Sequence, residues 1–563
     1  MPGAVAAVAQ FDTCLYWRVA LIVHHTGMFR APAPASALAG TIIAGALWPG
    51  AMRAASLLLV LASLGASAQV VAPAEPGAPA TNPASIRRPV ASSQLPTLGD
   101  GSELTAAAER RLGDRIAREI YRDPDYIDDP ILFDYVDAIW QPLLAAARTT
   151  GDLPPELDQR FAWEIMLGRD RSINAFALPG GYLGLHLGLV GAVTSRDELA
   201  SVLAHELSHV TQRHISRLIS KQGEQTPWLI GALILGAMAA NKSPDAASAL
   251  IAGGQAVAVQ NQLNFSRDME READRVGFGV MTQAGFAPHG FVSMFDKLLQ
   301  ASRLNDNGAF PYLRSHPLTT ERIADIRGRV APDAVAPGTR EQTVEHAMLA
   351  ARARVLSNSG VDALRQTLAQ ASPATLAQQP GERQAAALYG AVLAAARLRD
   401  YGLARSYLAQ LSVLVRENPA ASRQALLLAA ELALQLGEPT PAMAPNARPE
   451  VLLSAHGMIQ ANQAPRASQL LQTWLSTHPR DAGGWQLLSA ASRAQGQVLR
   501  AVRADAEARV AQLDYSGALE RLKAAQLLAR NGSPAAFDHI EASIIDTRTR
   551  VVQLLVREQS LER

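Results

Sequence analysis

The chain has 563 residues, of which 48% are hydrophobic, so it is long and apolar enough to form two or three globular domains with sizeable cores. Lysine and arginine together number 52, against 51 aspartates and glutamates. This balance excludes a long-range electrostatic attraction to nucleic acid, which is therefore not an expected partner. Cys14 is the only cysteine, so no disulfide can form within the chain.

The first 68 residues contain the pattern of a secretory signal peptide. Met52 and Arg53 precede an apolar run, and a small-x-small cleavage site ends at Ala68. We therefore expect translation to start at Met52, cleavage to follow Ala68, and the mature protein to be exported. The alternative is an uncleaved membrane anchor that begins at Thr41, but Pro49 interrupts that run before the ~20 apolar residues of a spanning helix are reached.

Changes in composition divide the rest of the chain into four segments. Residues 69–101 are rich in alanine and proline and suit a flexible linker. Residues 102–330 combine helical spacing with short apolar stretches, which predicts a mainly α domain with a small β-sheet. Residues 331–342 are predicted to be a second linker. Residues 343–563 are Ala- and Leu-rich helix with short breaks, which is typical of a helical solenoid.

The solenoid also has features of one particular repeat. Trp485, Leu488, Gly496 and Ala501 fall at offsets that resemble those of the tetratricopeptide repeat, although the match is degenerate. Stacked helical hairpins of this kind present a concave surface that commonly binds other polypeptides.

The strongest chemical signal is His205-Glu206-Leu207-Ser208-His209. A spacing of four residues places both imidazoles on one helix face, where both can bind a single tetrahedral zinc ion. Glu206 lies on the neighbouring face, so we expect it to take the proton of the attacking water and to pass it to the leaving amine. His214 follows five residues after His209, is expected to turn away from the metal face, and is predicted to be structural.

A third ligand is expected from a helix further along the chain, where Glu270 and Glu272 are both candidates. Asp274 favours Glu270, because a spacing of four residues places the two carboxylates on one helix face. Glu270 is then predicted to bind zinc while Asp274 holds a ligand imidazole from behind. The alternative, a solvated charged helix, would be preferred only in the absence of the histidine motif.

Together these motifs resemble those of the M48 family of zinc peptidases. The family's histidine motif matches His205, Glu206 and His209, and its Glu-x-x-x-Asp signature matches Glu270 and Asp274. The resemblance covers about residues 104–327 and extends more loosely through the helical repeats. It implies a gluzincin-like catalytic domain that holds one zinc ion per chain.

The resemblance also includes the segment that precedes the histidine motif. Asn174, Ala175, Phe176 and Ala177 are similar to the family segment that forms the edge strand above the cleft. We expect a substrate to add to this edge as a further strand, with its backbone extended across the zinc. The alternative is a plain buried hairpin.

His316, followed by Pro317, is the third marker of the family, with Arg322 six residues after the histidine. We expect His316 to lie close to the zinc. As a latch it would fill the open fourth position, whereas as a catalytic donor it would, together with Arg322, stabilise the oxyanion of the tetrahedral intermediate. A third alternative is a helix-entry histidine without metal contact. The latch is favoured, because a compartment that contains unfolded proteins in transit requires restraint.

The resemblance implies a biological role for the enzyme. Periplasmic members of the family that carry helical repeats degrade misfolded or misassembled outer-membrane proteins, have a chaperone-like role in assembly, and are expected to contact the β-barrel assembly machinery through the repeats. Two alternatives stay open, a non-proteolytic repeat chaperone or scaffold and a membrane-anchored quality-control metalloprotease. Residues 228–240 are intensely apolar but too short to span a bilayer, and they are predicted to be a lid, a peripheral membrane contact or a buried helix.

Overall fold

The computed structural model describes residues 104–221, 266–303, 311–330, 340–531 and 538–561. The described chain is mostly helical, with one small sheet of three strands, which confirms the predicted fold class. The predicted signal peptide, the linker 69–101 and the apolar segment 228–240 lie outside the described residues. None of the helices within the described ranges has the length and hydropathy that crossing a bilayer requires.

Short polar side chains start the helices of the first half. Ser195 accepts a hydrogen bond from the Glu198 N–H, and Ser266 accepts one from the Met269 N–H, so each serine satisfies a free donor at a helix start. The helices are Ala106–Arg122, Pro130–Thr150, Pro155–Arg160, Leu187–Ala192, Arg196–Thr211, His214–Lys221, Arg267–Gln283, His289–Arg303, Tyr312–Ser315 and Thr320–Arg329. We call Arg196–Thr211 the motif helix and Arg267–Gln283 the ligand helix.

The sheet consists of β1 (Glu164–Gly168), β2 (Ala175–Leu178) and β3 (Tyr182–His186), in the order β1-β3-β2. The central strand β3 runs parallel to β1 and antiparallel to β2. Gly180, with φ of 73°, lies in the tight turn between β2 and β3, where a Cβ atom would come 2.8 Å from the Arg110 Cα. Because β2 pairs with β3 alone, it is an edge strand of the described sheet.

The motif helix is buried along nearly its whole length and packs against the ligand helix. Gly277 permits this close packing, because a Cβ atom there would lie 3.0 Å from the Ala204 carbonyl oxygen. The approach of the two backbones brings the start of the ligand helix to the histidines of the motif helix.

The second half of the described chain is a series of packed helices. They are Arg340–Ser357, Val361–Gln370, Pro373–Leu376, Gly381–Arg397, Tyr401–Val415, Pro419–Leu436, Arg448–Gln460, Ala464–Thr477, Ala482–Ala494, Val498–Ala511, Tyr515–Asn531 and His539–Leu561. Neighbouring helices in this series pack on one another, as expected for a solenoid.

The first helix of this stack also belongs to the core of the first half. Helix Arg340–Ser357, which we call the bridging helix, begins inside the predicted linker and packs both on Leu187–Ala192 and on Gly381–Arg397. Its residues Leu349 and Leu356 are buried in the same apolar cluster as the motif helix. The two halves therefore share a core.

Candidate metal centre

Two helices bring the three predicted ligands together. His205 and His209 project from consecutive turns of the motif helix, with their Nε2 atoms 3.0 Å apart. Glu270 comes from the first turn of the ligand helix, where its Oε1 lies 3.4 Å from His209 Nε2 and its Oε2 lies 3.6 Å from His205 Nε2. All three side chains are buried. Two imidazoles and a carboxylate thus converge in a space closed to bulk water.

His316 completes the cluster. Its Nδ1 lies 3.4 Å from His205 Nε2 and 3.0 Å from Glu270 Oε1, and it offers a fourth donor atom in a group whose members all lie within 4.8 Å of one another. Donors around a tetrahedral zinc ion, with bonds of about 2.0–2.1 Å, lie about 3.3 Å apart. Five of the six pairs among His205, His209, Glu270 and His316 have contacts of 3.0 to 3.6 Å. The number, type and spacing of the donors therefore fit a zinc ion.

The protonation states of the cluster are strongly coupled. Burial opposes a charge on His205, but hydrogen bonds to Asp274 and Glu270 raise its pKa to about 9. Burial and the neighbouring His205 hold the pKa of His209 well below its usual value. Burial opposes ionisation of Glu270, but His316 and His205 lower its pKa well below the usual range. A metal ion that binds here must displace the proton on His205, so binding releases a proton.

Glu206 lies beside the cluster without being one of its donors. Its Oε2 accepts a hydrogen bond of 2.9 Å from the Ala177 N–H, which fixes the carboxylate. Its Oε1 is buried and lies 3.5 Å from His316 Nε2, and no described residue donates to it with good hydrogen-bond geometry, although the nearby Tyr312 hydroxyl stabilises the carboxylate. Burial raises the pKa of Glu206 above its usual value. A buried carboxylate with a raised pKa and one open oxygen suits a general base.

Asp274 and Arg322 lie behind the ligands. Asp274 Oδ1 lies 2.9 Å from His205 Nδ1, where the sequence predicts a carboxylate contact to a ligand imidazole. The Arg322 guanidinium donates to both Asp274 oxygens and to the Pro317 carbonyl, and its Nη1 lies 2.7 Å from Glu270 Oε2. The oxyanion role of Arg322 stays a prediction, and these contacts favour a role in holding the ligand Glu270 and the supporting carboxylate of Asp274.

The sequence gives no sign that His214 contacts a ligand, yet its Nδ1 lies 2.9 Å from His209 Nδ1. The expectation that it turns away assumed an unbroken helix. The motif helix instead ends at Thr211, and Arg213 adopts the left-handed conformation with φ of 54°, so a new helix starts at His214. Burial lowers the pKa of His214 to about 4, so the ring is neutral near neutral pH. The sequence does not mark this break, because Gln212 and Arg213 are both compatible with a continuing helix.

The edge strand β2 packs on the motif helix and contacts Glu206, next to the cluster. The Asn174 carbonyl accepts a hydrogen bond from the His186 N–H. In this antiparallel pair the N–H and C=O groups of alternate residues point the same way, so those of Ala175 and Ala177 face away from β3. The Ala177 N–H accordingly points to Glu206. Phe176 packs against Gly184 of the central strand and does not enter the cluster. All four predicted edge residues are thus placed in or next to β2.

The segment that carries His316 lies along the same edge. The Tyr312 N–H donates to the Ile173 carbonyl, 3.4 Å away, and the Tyr312 ring stacks on His316 with ring centres 4.6 Å apart. Tyr312 and His316 are both buried. This segment, Tyr312–His316, is therefore bound to the backbone next to the edge strand at one end and reaches the cluster at the other.

A buried helix with two histidines four residues apart, a glutamate between them and a carboxylate from a second helix define a metal-dependent peptidase. Residues 137–330 match the description "Peptidase family M48". The chain is 31% identical over 461 residues to the beta-barrel assembly-enhancing protease of Escherichia coli (strain K12), a match that covers 79% of this chain and 90% of that protein.

Two further relatives extend the comparison. The putative beta-barrel assembly-enhancing protease of Vibrio cholerae is 30% identical over 455 residues, which is 78% of this chain and 90% of that protein. The mitochondrial metalloendopeptidase OMA1 of Schizosaccharomyces pombe is 32% identical over 164 residues, which is 29% of this chain and 45% of that protein. The chain belongs to peptidase family M48 and is a metalloendopeptidase.

Proposed function

We propose that the chain is a periplasmic zinc endopeptidase that degrades unfolded or misassembled outer-membrane β-barrel proteins and assists their assembly. The names of the bacterial relatives support this substrate class, because the similarity extends over 90% of each protein. The signal pattern that ends at Ala68 supports export.

His205, His209 and Glu270 are proposed to hold the zinc ion. The ion would supply Lewis-acid polarisation of the scissile carbonyl and would make a water molecule easier to deprotonate. The contacts of 3.0 to 3.6 Å between the buried donors support this assignment. Asp274 orients His205 by accepting from its Nδ1–H, which leaves Nε2 free to bind.

Glu206 is proposed to be the general base, and its geometry is the observation that carries the proposal. The Ala177 N–H holds one oxygen, while the other is buried beside His316 and receives no hydrogen bond of good geometry from the described residues. That oxygen would take a proton from the attacking water and return it to the leaving amine. A carboxylate that served only the fold would be expected to have both oxygens paired.

A substrate is proposed to lie extended along β2. The Ala175 N–H and C=O groups and the Ala177 carbonyl face away from the central strand, so a further strand can pair with them, whereas the Ala177 N–H is bound to Glu206. Main-chain pairing would hold many sequences in the same position above the cluster, which suits an enzyme that acts on unfolded chains of varied sequence.

His316 is proposed to be a latch. Its Nδ1 occupies a donor position of the cluster, and Tyr312 of the same segment donates to the Ile173 carbonyl beside the edge strand. In this arrangement the segment closes both the fourth donor position and the approach of a substrate strand. Opening would require the segment to move.

The repeats are proposed to hold client polypeptide and to contact the β-barrel assembly machinery. The last two helices expose large apolar side chains, among them Leu527, Ile540 and Leu554, which are 59%, 75% and 61% exposed. Exposed apolar surface of this kind suits an unfolded client.

The test compares the wild type with Glu206→Gln. We expect about one zinc ion per chain in both proteins, and a fall of about 10²–10⁴-fold in the cleavage of casein and of an unfolded outer-membrane porin by the variant. Glu417→Gln, at an exposed glutamate, is the matched control and should retain full activity. Undiminished cleavage by Glu206→Gln would mean that another group is the base. A wild-type protein that neither contains nor takes up zinc would overturn the metal assignment.

A further inference from the structure

His214 lies behind His209, next to the ring nitrogen Nδ1 that points away from the cluster. Its ring is buried and lies edge-on to His209, with ring centres 4.9 Å apart and an interplanar angle of 76°. Its Nδ1 is 2.9 Å from His209 Nδ1, and its Nε2 is 3.0 Å from Glu272 Oε2. Arg217 donates to the same Glu272 oxygen over 2.9 Å. Four side chains thus form one hydrogen-bonded series that ends at a predicted ligand.

We propose that His214 and Glu272 are positioning residues that fix the tautomer and the orientation of His209 as a metal ligand. The inference rests on the proposed zinc site. Neither residue is itself a donor of the cluster, since the group of possible ligands among the described residues consists of His205, His209, Glu270 and His316.

The hydrogen bonds permit only one arrangement of protons when a metal is bound. His209 Nε2 faces the cluster and must be unprotonated to bind, so its proton is on Nδ1. That N–H can donate only if His214 Nδ1 is an acceptor, which places the His214 proton on Nε2. The His214 Nε2–H in turn donates to the Glu272 carboxylate. Glu272 therefore selects the tautomer of His214, and His214 selects that of His209.

The two imidazole ligands are supported in different ways. Asp274 accepts directly from His205 Nδ1–H, whereas Glu272 reaches His209 only through the intervening ring of His214. In both cases a carboxylate on the ligand helix acts on a histidine of the motif helix. A carboxylate that orients a metal-ligating histidine raises the affinity for the ion.

The backbone is shaped to make this contact. Five residues along an unbroken helix would rotate His214 about 140° away from His209. The left-handed conformation of Arg213 redirects the chain, and the Arg213 side chain is tied to Glu109 by hydrogen bonds of 3.2 Å. A left-handed backbone conformation is unfavourable for an arginine, so a function is expected where it occurs. Here it brings His214 back into contact with His209.

The experiment measures zinc affinity by competition with a chelator, rather than proteolysis. His214→Leu removes the acceptor and is expected to weaken zinc binding about 10–100-fold. His214→Asn retains an acceptor near the position of Nδ1 and should keep an affinity closer to that of the wild type. The visible spectrum of the cobalt-substituted protein should change in His214→Leu and be restored in His214→Asn. His289→Leu, at an exposed histidine on another helix, is the matched control.

The outcomes separate this inference from the proposed function. Zinc bound by the wild type and by His214→Leu with equal affinity would overturn the positioning role, even if the variant were less stable without metal. A wild type that binds no zinc would overturn the proposed function instead. If His214→Leu fails to fold, Glu272→Ala decides: weaker zinc binding supports the proposal, and unchanged affinity contradicts it.

Discussion

The guanidinium of Arg322 binds the carboxylate of Asp274 through two parallel hydrogen bonds, 2.6 Å from Nε to Oδ2 and 2.8 Å from Nη2 to Oδ1. Both side chains are buried. Burial opposes ionisation of Asp274, but Arg322 and His205 together lower its pKa below the usual range. Arg322 therefore keeps the carboxylate charged and fixed in the orientation in which it accepts from His205.

We expect Arg322→Lys to weaken zinc binding about 10–100-fold, the usual effect of losing a residue that supports a ligand. Lysine retains the positive charge but cannot form the two parallel hydrogen bonds. Chelator competition measures the change, and Arg327→Lys, at an exposed arginine of the same helix, is the control. Unchanged zinc affinity together with a lower kcat would instead favour the oxyanion role predicted from the sequence.

Local periodicity explains what the sequence could predict at the site. A spacing of four residues predicts that His205 lies beside His209, and Glu270 beside Asp274, and each of these pairs lies within one unbroken helix of the structure. The contact of His214 with His209 could not be predicted in this way, because it depends on the backbone conformation of Arg213. Helical periodicity says nothing about a residue beyond a break.

The relation between the two halves was also beyond the sequence. The predicted linker 331–342 suggested separate domains, whereas the bridging helix packs on both halves. Arg352 on this helix pairs with Asp129, 2.7 Å away, and with Glu431, 2.6 Å away. These partners are 223 and 79 residues distant along the chain, and no local pattern relates them.

Arg352→Met is expected to lower the free energy of unfolding by about 3–5 kcal/mol, because it leaves Asp129 as a buried charge without its cation. Asp129 also accepts from the Leu132 N–H at the start of a core helix, so its disturbance would reach the catalytic half. Chemical denaturation measures the loss, and Arg416→Met, at an exposed arginine, should show almost none. A loss below about 1 kcal/mol would indicate that the pair is no better than a surface ion pair.

Acidification is expected to weaken the ion pair between Asp481 and Arg448, an arginine that also contacts the first half of the chain. Burial opposes ionisation of Asp481, but Arg448 lowers its pKa below the usual value, and Arg448 also binds Asp128 at 2.7 Å. Because the pKa is lower in the folded than in the unfolded state, this stabilisation is present above about pH 4, the ordinary aspartate value, and is lost as the pH falls through the lowered pKa.

The matching measurement compares the free energy of unfolding of the wild type and Asp481→Asn between neutral and acidic pH. The difference between the two should shrink as the pH falls below about 4, because protonation gives the wild type the same uncharged side chain. Asp362→Asn, at an exposed aspartate, should parallel the wild type throughout. A difference that stays constant with pH would contradict the role of Asp481.

The last prediction concerns His316, whose Nδ1 lies among the donors of the metal centre while its ring stacks on Tyr312. For a latch, His316→Ala should raise basal cleavage of casein, because the fourth donor position and the approach along β2 both open. For a transition-state donor the same change should lower kcat. For a merely structural histidine it should reduce stability and leave the activity per folded molecule unaltered.

The three outcomes are separated by measuring zinc content, thermal stability and casein cleavage on the same preparations, with His289→Ala as the control at an exposed histidine. The Tyr312 N–H contact with Ile173 supports the latch, because it seats the segment where a substrate strand would have to pair. We therefore expect faster cleavage with zinc retained by His205, His209 and Glu270. A clear fall in the activity of a well-folded, zinc-loaded His316→Ala would refute the latch and establish the donor role.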